Sequence, residues 1–391
     1  MDKISTKLAE QIEKSMVLHT LDVQRVVLHT ATNGCRQQLL KRKLNIICEL
    51  PLIQAYVVEL PLRTVPVLAT KGFVRYIEHD AQVKINLDTA NNTVGAGTVK
   101  KQGYTGNGVT VAVIDTGLYP HDDFVLPQNR ITYFLDLVND RPDPYDDNGH
   151  GTFCAGCIAG SGYASEGQYE GIAPQANLIM IKALDENGGG SISDVLRAMQ
   201  WVADNQEKYK IRVLSMSLGI EASDFDPRQN TLSQAAEALW RRGIVVVAAA
   251  GNSGPKKGTI NSPGTAPSVI TVGAVNDRNE SMDIAKFSSR GTESMKKPDL
   301  VAPGVEVTAA EADTSYKKGD RKKNGYVTLS GTSVATPIVA GAIALMLEKN
   351  PQLTPDQVKQ LLLKSCVSLQ TDVQSQGAGV MHVDKAVEQE T

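Results

Sequence analysis

Residues 109–115 read VTVAVID, a run of β-branched and apolar residues without polar alternation before the closing aspartate. A strand with one face in water alternates apolar and polar residues, whereas a strand covered on both faces does not. The run therefore predicts a strand inside a parallel sheet. Four similar runs follow: NLIMIKAL (177–184), RVLSMSL (212–218), GIVVVAAA (243–250) and SVITVGAV (268–275).

Helical segments lie between these runs, over Ser193–Asn205 and Thr231–Arg242. Strands that alternate with helices fold into a parallel sheet, so residues 99–391 are predicted to form an α/β domain with a mostly parallel sheet and helices on both faces. In such sheets, reactive groups collect beyond the carboxyl ends of the strands. Asp115 and Asn252, which lie at the ends of two runs, are therefore candidates for a functional site.

The N-terminal part of the chain shows a different order of elements. A narrow apolar stripe over residues 3–16 predicts a helix, and residues 24–79 then read strand, helix, strand, strand, helix, strand. This β-α-β-β-α-β order is the ferredoxin-like pattern. We therefore predict a small α+β domain over residues 1–83 and, over residues 84–98, a linker rich in Gly, Asn and Thr.

Composition excludes several classes of protein. Of the 391 residues, 41% are hydrophobic and 21% are charged, as in soluble globular proteins. The net charge of −3 gives no general attraction for phosphate backbones, so no nucleic-acid partner is expected. The odd number of cysteines predicts reduced thiols in a cytoplasm, and the charged start MDKISTKLAEQIEKSM lacks the apolar core of a secretory signal. The cysteines are Cys35, Cys48, Cys154, Cys157 and Cys366.

An apolar stretch follows a serine in LSGTSVATPIVAGAIALML (329–347). The 14 residues Val334–Leu347 are fewer than the roughly 18 to 20 that a membrane-spanning helix needs, and they include Pro337. No membrane association is expected, and a helix is predicted from Ser333 onward. Ser333 is either a cap for this helix or a nucleophile beside backbone N–H groups that can stabilise an oxyanion.

A nucleophilic serine needs a base, and His150 is the histidine with distinctive surroundings. It lies between glycines in DDNGHGTFCAG (146–156), before a run of small residues. From local sequence alone, a capping or core histidine fits as well as a catalytic one, and Asp115 could simply end its strand. The occurrence of an acid, a histidine, an amide and a serine in one α/β domain favours chemistry, in the order Asp, His, Ser of one known type of catalytic triad.

Seven motifs, taken in order, carry a resemblance to a known family. They are VAVIDTG (111–117), NGHGTFCAG (148–156), SMSLG (215–219), AAAGNSG (248–254), FSSRG (287–291), KPDLVAPG (297–304) and LSGTSVATP (329–337). Together they resemble the motifs of the subtilisin-like serine proteases, or subtilases, over about residues 100–391. The spacer SGYASEGQY (161–169) and the ending NPQLTPDQVKQLL (350–362) resemble most the AprX-like intracellular branch of bacilli, which implies a bacterial cytoplasmic protein.

The resemblance implies a serine endopeptidase that hydrolyses proteins or peptides through an acyl-enzyme, without a cofactor for the chemistry. It makes Ser333 the nucleophile, His150 the general base and acid, and Asp115 the carboxylate that orients the imidazole. The side-chain amide of Asn252 and the backbone N–H of Ser333 would form the oxyanion hole.

The resemblance also implies where substrate binds. An extended peptide would pair with two backbone edges, although the sequence ENGGGS that would form the second edge is by itself typical of a flexible loop. Small residues would line the first specificity pocket and leave room for a large apolar side chain. The residues implied are Ser217, Leu218 and Gly219 for one edge, Gly188, Gly189 and Gly190 for the other, and Ala250 and Gly251 for the pocket.

For the N-terminal domain, the resemblance implies a propeptide that assists folding and occupies the cleft in cis, with self-cleavage within Lys84–Ala96. An unrelated binding module is the alternative. Cys154 and Cys157 leave two interpretations open, a metal or redox pair and small core residues, and no second pair is present to complete a zinc site. Asp123 alone matches a calcium-ligand position of the family, which gives only weak support for a structural calcium ion.

Two other functions compete with a protease. A pseudoprotease would bind peptides without cutting them, but all four reactive residues are present. A nucleotide-binding enzyme would need a glycine-rich phosphate loop after a strand, and neither G-x-G-x-x-G nor G-x-x-x-x-G-K-[ST] follows any predicted strand. The sequence therefore predicts an endopeptidase made as an inactive precursor.

Overall fold

The structure is a computed structural model that describes residues 3–4, 6–17, 22–32, 34–50, 54–79, 87–221, 230–278 and 281–389. The chain divides into two units, unit 1 (Met1–Lys84) and unit 2 (Ile85–Thr391).

Unit 1 is built around a small antiparallel sheet. Its elements are α1 (Thr6–Val17), β1 (Val23–Thr30), α2 (Arg36–Leu40), β2 (Asn45–Leu50), β3 (Ala55–Pro61), a 3₁₀ turn (Leu62–Thr64), α3 (Val65–Ala69) and β4 (Val74–His79). The strands lie in the order β2-β3-β1-β4 with antiparallel pairing. Buried and half-buried residues alternate along most of β3, and α1 adds Leu8 and Ile12 to the core. The β-α-β-β-α-β order is the one that the sequence pattern predicts.

Unit 2 contains the remaining helices and strands, besides a 3₁₀ turn (Tyr163–Ser165). They are α4 (Leu87–Thr93), α5 (Ala96–Lys101), β5 (Thr110–Asp115), α6 (Asp122–Val125), β6 (Ile131–Asp136), α7 (His150–Ala159), β7 (Asn177–Lys182), α8 (Ile192–Tyr209), β8 (Ile211–Met216), α9 (Thr231–Arg241), β9 (Val245–Ala249), β10 (Ile270–Asn276), β11 (Asp283–Ile284), β12 (Leu300–Pro303), β13 (Val307–Ala310), β14 (Tyr326–Leu329), α10 (Thr332–Lys349), α11 (Pro355–Ser365), α12 (Val373–Gln376) and α13 (Val383–Glu388).

The main sheet of unit 2 is almost entirely parallel. Its strands lie in the order β11-β10-β9-β8-β5-β7-β6, with β12 also paired to β10, and only β11 runs antiparallel to its neighbour. Helices α7 and α10 pack on each other and on the sheet, as do α8 and α9. Every residue of β5 is buried, as expected for a strand covered on both faces. The predicted α/β class with a mostly parallel sheet is confirmed.

Helix α10 passes through the core of unit 2. Apart from Ser333, all residues from Thr332 to Leu347 are buried. Among the described helices it alone is long and apolar enough to cross a membrane, but 83% of its span is buried inside the protein. Gly331 is its N-cap residue and no side chain caps it. The hydroxyl of Ser333 therefore does not cap this helix, and the interpretation of Ser333 as a nucleophile stays a prediction.

The predicted linker differs from the structure. Residues 84–86 lie outside the described residues, but residues 87–101 form helices α4 and α5, separated by Gly95 in the left-handed region. Ala90, Val94 and Val99 are fully buried in the core of unit 2. Helices of this length are stabilised by packing rather than by the helix propensity of their residues. Because the residues that pack here are small, the segment shows no clear helical pattern of large apolar residues in the sequence.

Candidate active site

Asp115 and His150 are brought together by the carboxyl end of β5 and the first turn of α7. Asp115 is the last residue of β5 and is fully buried, while His150 begins α7 with a side chain that is 27% exposed. The distance between His150 Nδ1 and Asp115 Oδ1 is 2.8 Å. An ionised carboxylate can only accept, so in the neutral imidazole Nδ1 carries the proton and Nε2 is left free to accept one.

The surroundings of His150 raise its pKa well above the ordinary value for histidine. Burial is the largest single cause and acts in the opposite direction, but the other causes, led by attraction to Asp115, together outweigh it. Cys154 would also raise the pKa of His150 if it were a thiolate. Because burial raises the pKa of the Cys154 thiol, that thiol is neutral near pH 7, and Asp115 is the partner that sets the charge of the imidazole.

A buried polar network that the sequence did not reveal links the two segments. The Thr116 hydroxyl donates to Asp146 Oδ1 at 2.9 Å and accepts from the Gly151 N–H at 2.9 Å. Asp146 Oδ2 accepts from both the N–H and the hydroxyl of Thr152. In the sequence, Asp146 looks like any turn residue before a helix, and its role depends on Thr116, thirty positions earlier.

Close backbone approach at Gly151 completes this link. A Cβ atom on Gly151 would lie 2.2 Å from the carbonyl oxygen of Gly117, a distance that no side chain tolerates. The glycine after His150 is therefore required by packing, because it allows α7 to start against the chain that leaves β5.

Ser333 lies at the second position of α10 and its carbonyl oxygen is held from two sides. The Ser217 hydroxyl donates to it at 2.8 Å, and the Cys154 thiol lies 3.5 Å from it. The same thiol is 4.0 Å from His150 Nε2. Both Ser333 and His150 are described, and no hydrogen bond joins their side chains; in substrate-free sites this bond is often long and tightens when substrate binds.

Asn252 follows β9 and is oriented by the residue before Ser333. Its Oδ1 accepts from the Thr332 N–H at 2.9 Å and from the Thr332 hydroxyl at 3.0 Å, so its Nδ2 points away from them. A Cβ atom on Gly331 would lie 2.9 Å from Ser333 Oγ, 3.5 Å from Asn252 Nδ2 and 3.6 Å from Ser333 N. The predicted nucleophile and both predicted oxyanion donors therefore lie within 3.6 Å of one point in space.

The residues predicted to contact substrate lie in the loops that follow β7, β8 and β9. Ser217, Leu218 and Gly219 directly follow β8, and Ala250 and Gly251 follow β9. The loop that contains Gly188, Gly189 and Gly190 is tied to the residues before His150, because Asn148 Nδ2 donates to the carbonyl oxygen of Glu186 at 3.0 Å. Within this loop, the carboxylate and the carbonyl of Asp185 accept from the N–H groups of Gly189 and Gly188.

Asn261 is a further residue at the predicted pocket, and the sequence did not single it out. A Cβ atom on Gly251 would lie 2.7 Å from Asn261 Cγ, and one on Gly219 would lie 3.0 Å from Asn261 Cβ. The side chain therefore lies against both glycines, and its Oδ1 is buried without a hydrogen-bond partner among the described residues. This places a polar group beside a pocket for which the sequence suggested only small residues.

Asp123, the predicted calcium candidate, is fully buried and is surrounded by hydrogen-bond donors. The Tyr326 hydroxyl lies 3.0 Å from each carboxylate oxygen, and the Ala164 N–H donates to Oδ1 at 2.9 Å. Arg130 donates to the backbone carbonyl oxygens of Asp123 and Ala159. Calcium takes about six to eight oxygen ligands. These residues do not fit a calcium ion.

The two cysteines of α7 are buried and free. Cys157 lies in the hydrophobic core, as the second of the two interpretations expects. Cys154, Asp115 and His150 bring one potential ligand atom each within 4.8 Å of one another. A metal ion bound there would occupy the histidine and carboxylate that the chemistry requires.

The sequence is similar to those of known proteases. The model of the subtilase family, peptidase S8, matches residues 106–380. Serine protease AprX of Bacillus subtilis (strain 168) is 45% identical over 332 residues, which cover 80% of this chain and 74% of that protein. Alkaline elastase YaB of Bacillus sp. (strain YaB) is 34% identical over 88% of this chain and 82% of its own.

Two solved structures resemble the fold. A cold adapted subtilisin-like serine proteinase has a TM-score of 0.56 and 34% identity, covering 71% of this chain and 88% of its own. Sphericase has a TM-score of 0.61 and 30% identity, covering 71% of this chain and 92% of its own.

Proposed function

The chain belongs to the subtilase family and is a subtilisin-like serine protease, and from this premise we propose that it is an endopeptidase made as an inactive precursor and working through an acyl-enzyme. The observation that carries the proposal is the convergence of Ser333 Oγ, Ser333 N and Asn252 Nδ2 on one point, beside a histidine already bonded to a buried carboxylate.

In the first step, Ser333 Oγ attacks the carbonyl carbon of the scissile bond while His150 Nε2 takes its proton. Asp115 holds Nδ1–H and stabilises the imidazolium that forms, a role supported by the 2.8 Å bond between them. The carbonyl oxygen becomes an oxyanion that accepts from Asn252 Nδ2 and from the Ser333 N–H. Thr332 supports this role of Asn252, because it binds the amide oxygen and leaves the amide nitrogen for substrate.

The tetrahedral intermediate then collapses. The imidazolium of His150 gives its proton to the leaving amine as the C–N bond breaks, and an ester between Ser333 and the new carboxyl group remains. Water attacks this ester, His150 takes the proton of the water, and that proton returns to Ser333 Oγ as the acid leaves. No cofactor takes part in these steps.

Substrate binds as an extended chain between two backbone edges, one from Ser217 to Gly219 and one from Gly188 to Gly190. Ala250 and Gly251 line the first specificity pocket, where a large apolar side chain of the substrate is accommodated. The lack of a side chain at Gly251 and Gly219 leaves room for the side chain of Asn261, which lies against both glycines at this pocket.

Unit 1 is the propeptide, which assists folding and blocks the cleft in cis. Self-cleavage falls within Lys84–Ala96. Because Ala90 and Val94 are buried in the core of unit 2, the part of this segment before Leu87 is the better substrate for cleavage.

The protein acts in the bacterial cytoplasm on protein or peptide substrates, without nucleic-acid or membrane partners. The free state of Cys35, Cys154, Cys157 and Cys366, four of the five cysteines, supports a reducing compartment.

The test follows the mass of the purified chain and its cleavage of casein, for the wild type, Ser333→Ala and Ser330→Ala. We expect the wild type and Ser330→Ala to lose unit 1 and to cut casein, and Ser333→Ala to do neither. Casein that is bound but never cut by the wild type would indicate a pseudoprotease instead. Equal cleavage by Ser333→Ala would overturn the role of Ser333.

A further inference from the structure

Unit 1 contains a cavity of about 470 Å³ that the proposed function does not use. Pockets that bind small molecules span roughly 300 to 1,000 Å³, so its size is sufficient for one. It lies where the turn after α2 meets the 3₁₀ turn and α3. Its lining includes Arg42, Leu44, Arg63, Val67, Leu68 and Lys71.

Apolar side chains form one part of the lining. Leu68 is 5% exposed and belongs to the core of unit 1, and Leu44 packs against that core. Val67, which also lines the cavity, is 61% exposed. An apolar occupant would therefore continue the core of unit 1 outward and remove Val67 from water.

Three cations form the other part of the lining, and no acidic residue joins them. Arg42 is already engaged, because its Nη1 donates to the carbonyl oxygen of Gln38 at 2.7 Å and its guanidinium lies over the ring of Phe73. Arg63 and Lys71 make no ion pair with any residue that the structure describes. Two cations with no ion-pair partner in the described part of the chain, beside an apolar wall, are complementary to a ligand with one apolar end and one anionic end.

We propose that this cavity binds a small molecule made of a single apolar chain that ends in a carboxylate, as in a medium-chain fatty acid. The chain contacts Leu44, Val67 and Leu68, and the carboxylate accepts hydrogen bonds from Arg63 and Lys71. A peptide segment is a poorer occupant, because the apolar wall would leave its backbone N–H and C=O groups without partners.

Binding has a consequence that rests on the function proposed above for unit 1. A ligand that binds only the folded state stabilises that state by mass action. A loaded unit 1 unfolds less often and is degraded more slowly, so the cavity would make release of the inhibitor respond to the supply of free carboxylates.

The binding test uses the full-length Ser333→Ala chain, which stays intact whether or not the protein is a protease that processes itself. Decanoate, decanol and decyltrimethylammonium are titrated by calorimetry below their micelle concentrations. We expect one decanoate to bind per chain, decanol to bind at least tenfold more weakly for want of the charged contact, and the cation not to bind. Equal binding of decanoate and decanol would overturn the proposed role of Arg63 and Lys71.

Variants locate the site. The double variant Arg63→Gln/Lys71→Gln should weaken decanoate about tenfold or more and leave decanol unchanged. Val67→Glu should abolish decanoate binding, since a carboxylate at an exposed wall position repels the ligand without disturbing the core. Arg75→Gln, an exposed cation of the same unit outside the cavity, is the matched control. Unchanged affinity in both cavity variants would show that decanoate binds elsewhere and would overturn the site.

The regulatory consequence is measured separately on the wild-type chain. Decanoate should slow the loss of unit 1 at least twofold, and Val67→Glu should remove this effect. Binding without any change in that rate would refute the regulation and leave the site standing. A wild type that loses no unit 1 even without decanoate would refute the proposed function instead.

Discussion

Along β3 in unit 1, buried and half-buried residues alternate, whereas every residue of β5 in unit 2 is buried. The alternation marks a sheet with one well-covered face, and the continuous burial marks a sheet between two layers of helices. Unit 2 can therefore hold reactive side chains from distant segments on a rigid frame. Unit 1 has only a small core, so less burial of apolar surface stabilises it.

The largest expected effect on chemistry in this comparison comes from Asp115→Asn. The amide cannot hold Nδ1–H as the carboxylate does, so kcat should fall about 10⁴-fold, as in other Ser-His-Asp enzymes. The acidic limb of the pH profile should also move. In the wild type, His150 must lose its proton to act, so activity rises as the pH passes the raised pKa of His150, above about 6.5.

In Asp115→Asn the attraction is lost while burial remains, so the midpoint of that limb should shift to lower pH. Active-site titration and circular dichroism check that the variant is folded. A large loss of kcat with an unchanged pH midpoint would contradict the assignment of the raised pKa to Asp115.

Asn252→Ala should have the next largest effect. Removal of one oxyanion donor lowers kcat by about 100- to 1000-fold, a range known from subtilisin itself, with little change in KM because the donor acts on charge that develops in the transition state. The adjacent exposed Ser253→Ala is the control and should retain wild-type kcat. A rise in KM at constant kcat would assign Asn252 to substrate binding instead.

A substitution in the core of unit 1 tests whether unit 1 can lose stability without a change in the catalysis by unit 2. Leu28 is fully buried in unit 1, so Leu28→Ala should lower the free energy of unfolding of that unit by about 2–5 kcal/mol. Hydrogen exchange of residues 23–79 in the Ser333→Ala chain measures this, with the exposed Ile47→Ala as control.

The same change made in the active chain should leave kcat of the processed enzyme unaltered. A lower kcat after removal of unit 1 would mean that the change in unit 1 still affects the active site. The proposal that unit 2 alone carries out the catalysis would then be wrong.

The smallest effect concerns stability inside unit 2. Tyr326→Phe removes a donor shared by both carboxylate oxygens of buried Asp123 and should cost about 1–3 kcal/mol. A chelator should leave the Tm of the wild type unchanged. Tyr163→Phe, at an exposed tyrosine, is the control. A Tm that falls with chelator and recovers with calcium would contradict the conclusion that donors replace a cation at Asp123.

The sequence predicted those parts of the fold in which pattern and packing agree. The uninterrupted apolar runs correspond to β5, β7, β8, β9 and β10. Strand β6 was missed because exposed residues interrupt its apolar pattern at the edge of the sheet. Helices α4 and α5 were missed because their buried residues are small.

For the site, the motifs singled out Asp115, His150, Asn252 and Ser333, which the structure brings together, and local physics alone left the role of each ambiguous. Asp146 and Asn261 were missed for a different reason. Each lies in a turn-like sequence, and its contacts come from residues that are distant along the chain, namely Thr116 for Asp146 and Gly219 for Asn261. Such contacts have no signature in a single local stretch.

The close approach at Gly151 has a consequence for how tolerant the enzyme is of change. Consider a library in which every position is varied and the active variants are sequenced. Substitutions of a catalytic residue and substitutions of a glycine that is needed for close packing are then lost to the same extent. Gly151 has no reactive group, yet a single methyl group there would meet the oxygen of Gly117 at 2.2 Å. Its mutational profile should therefore match that of His150, and only a rate measured per folded molecule would separate the two.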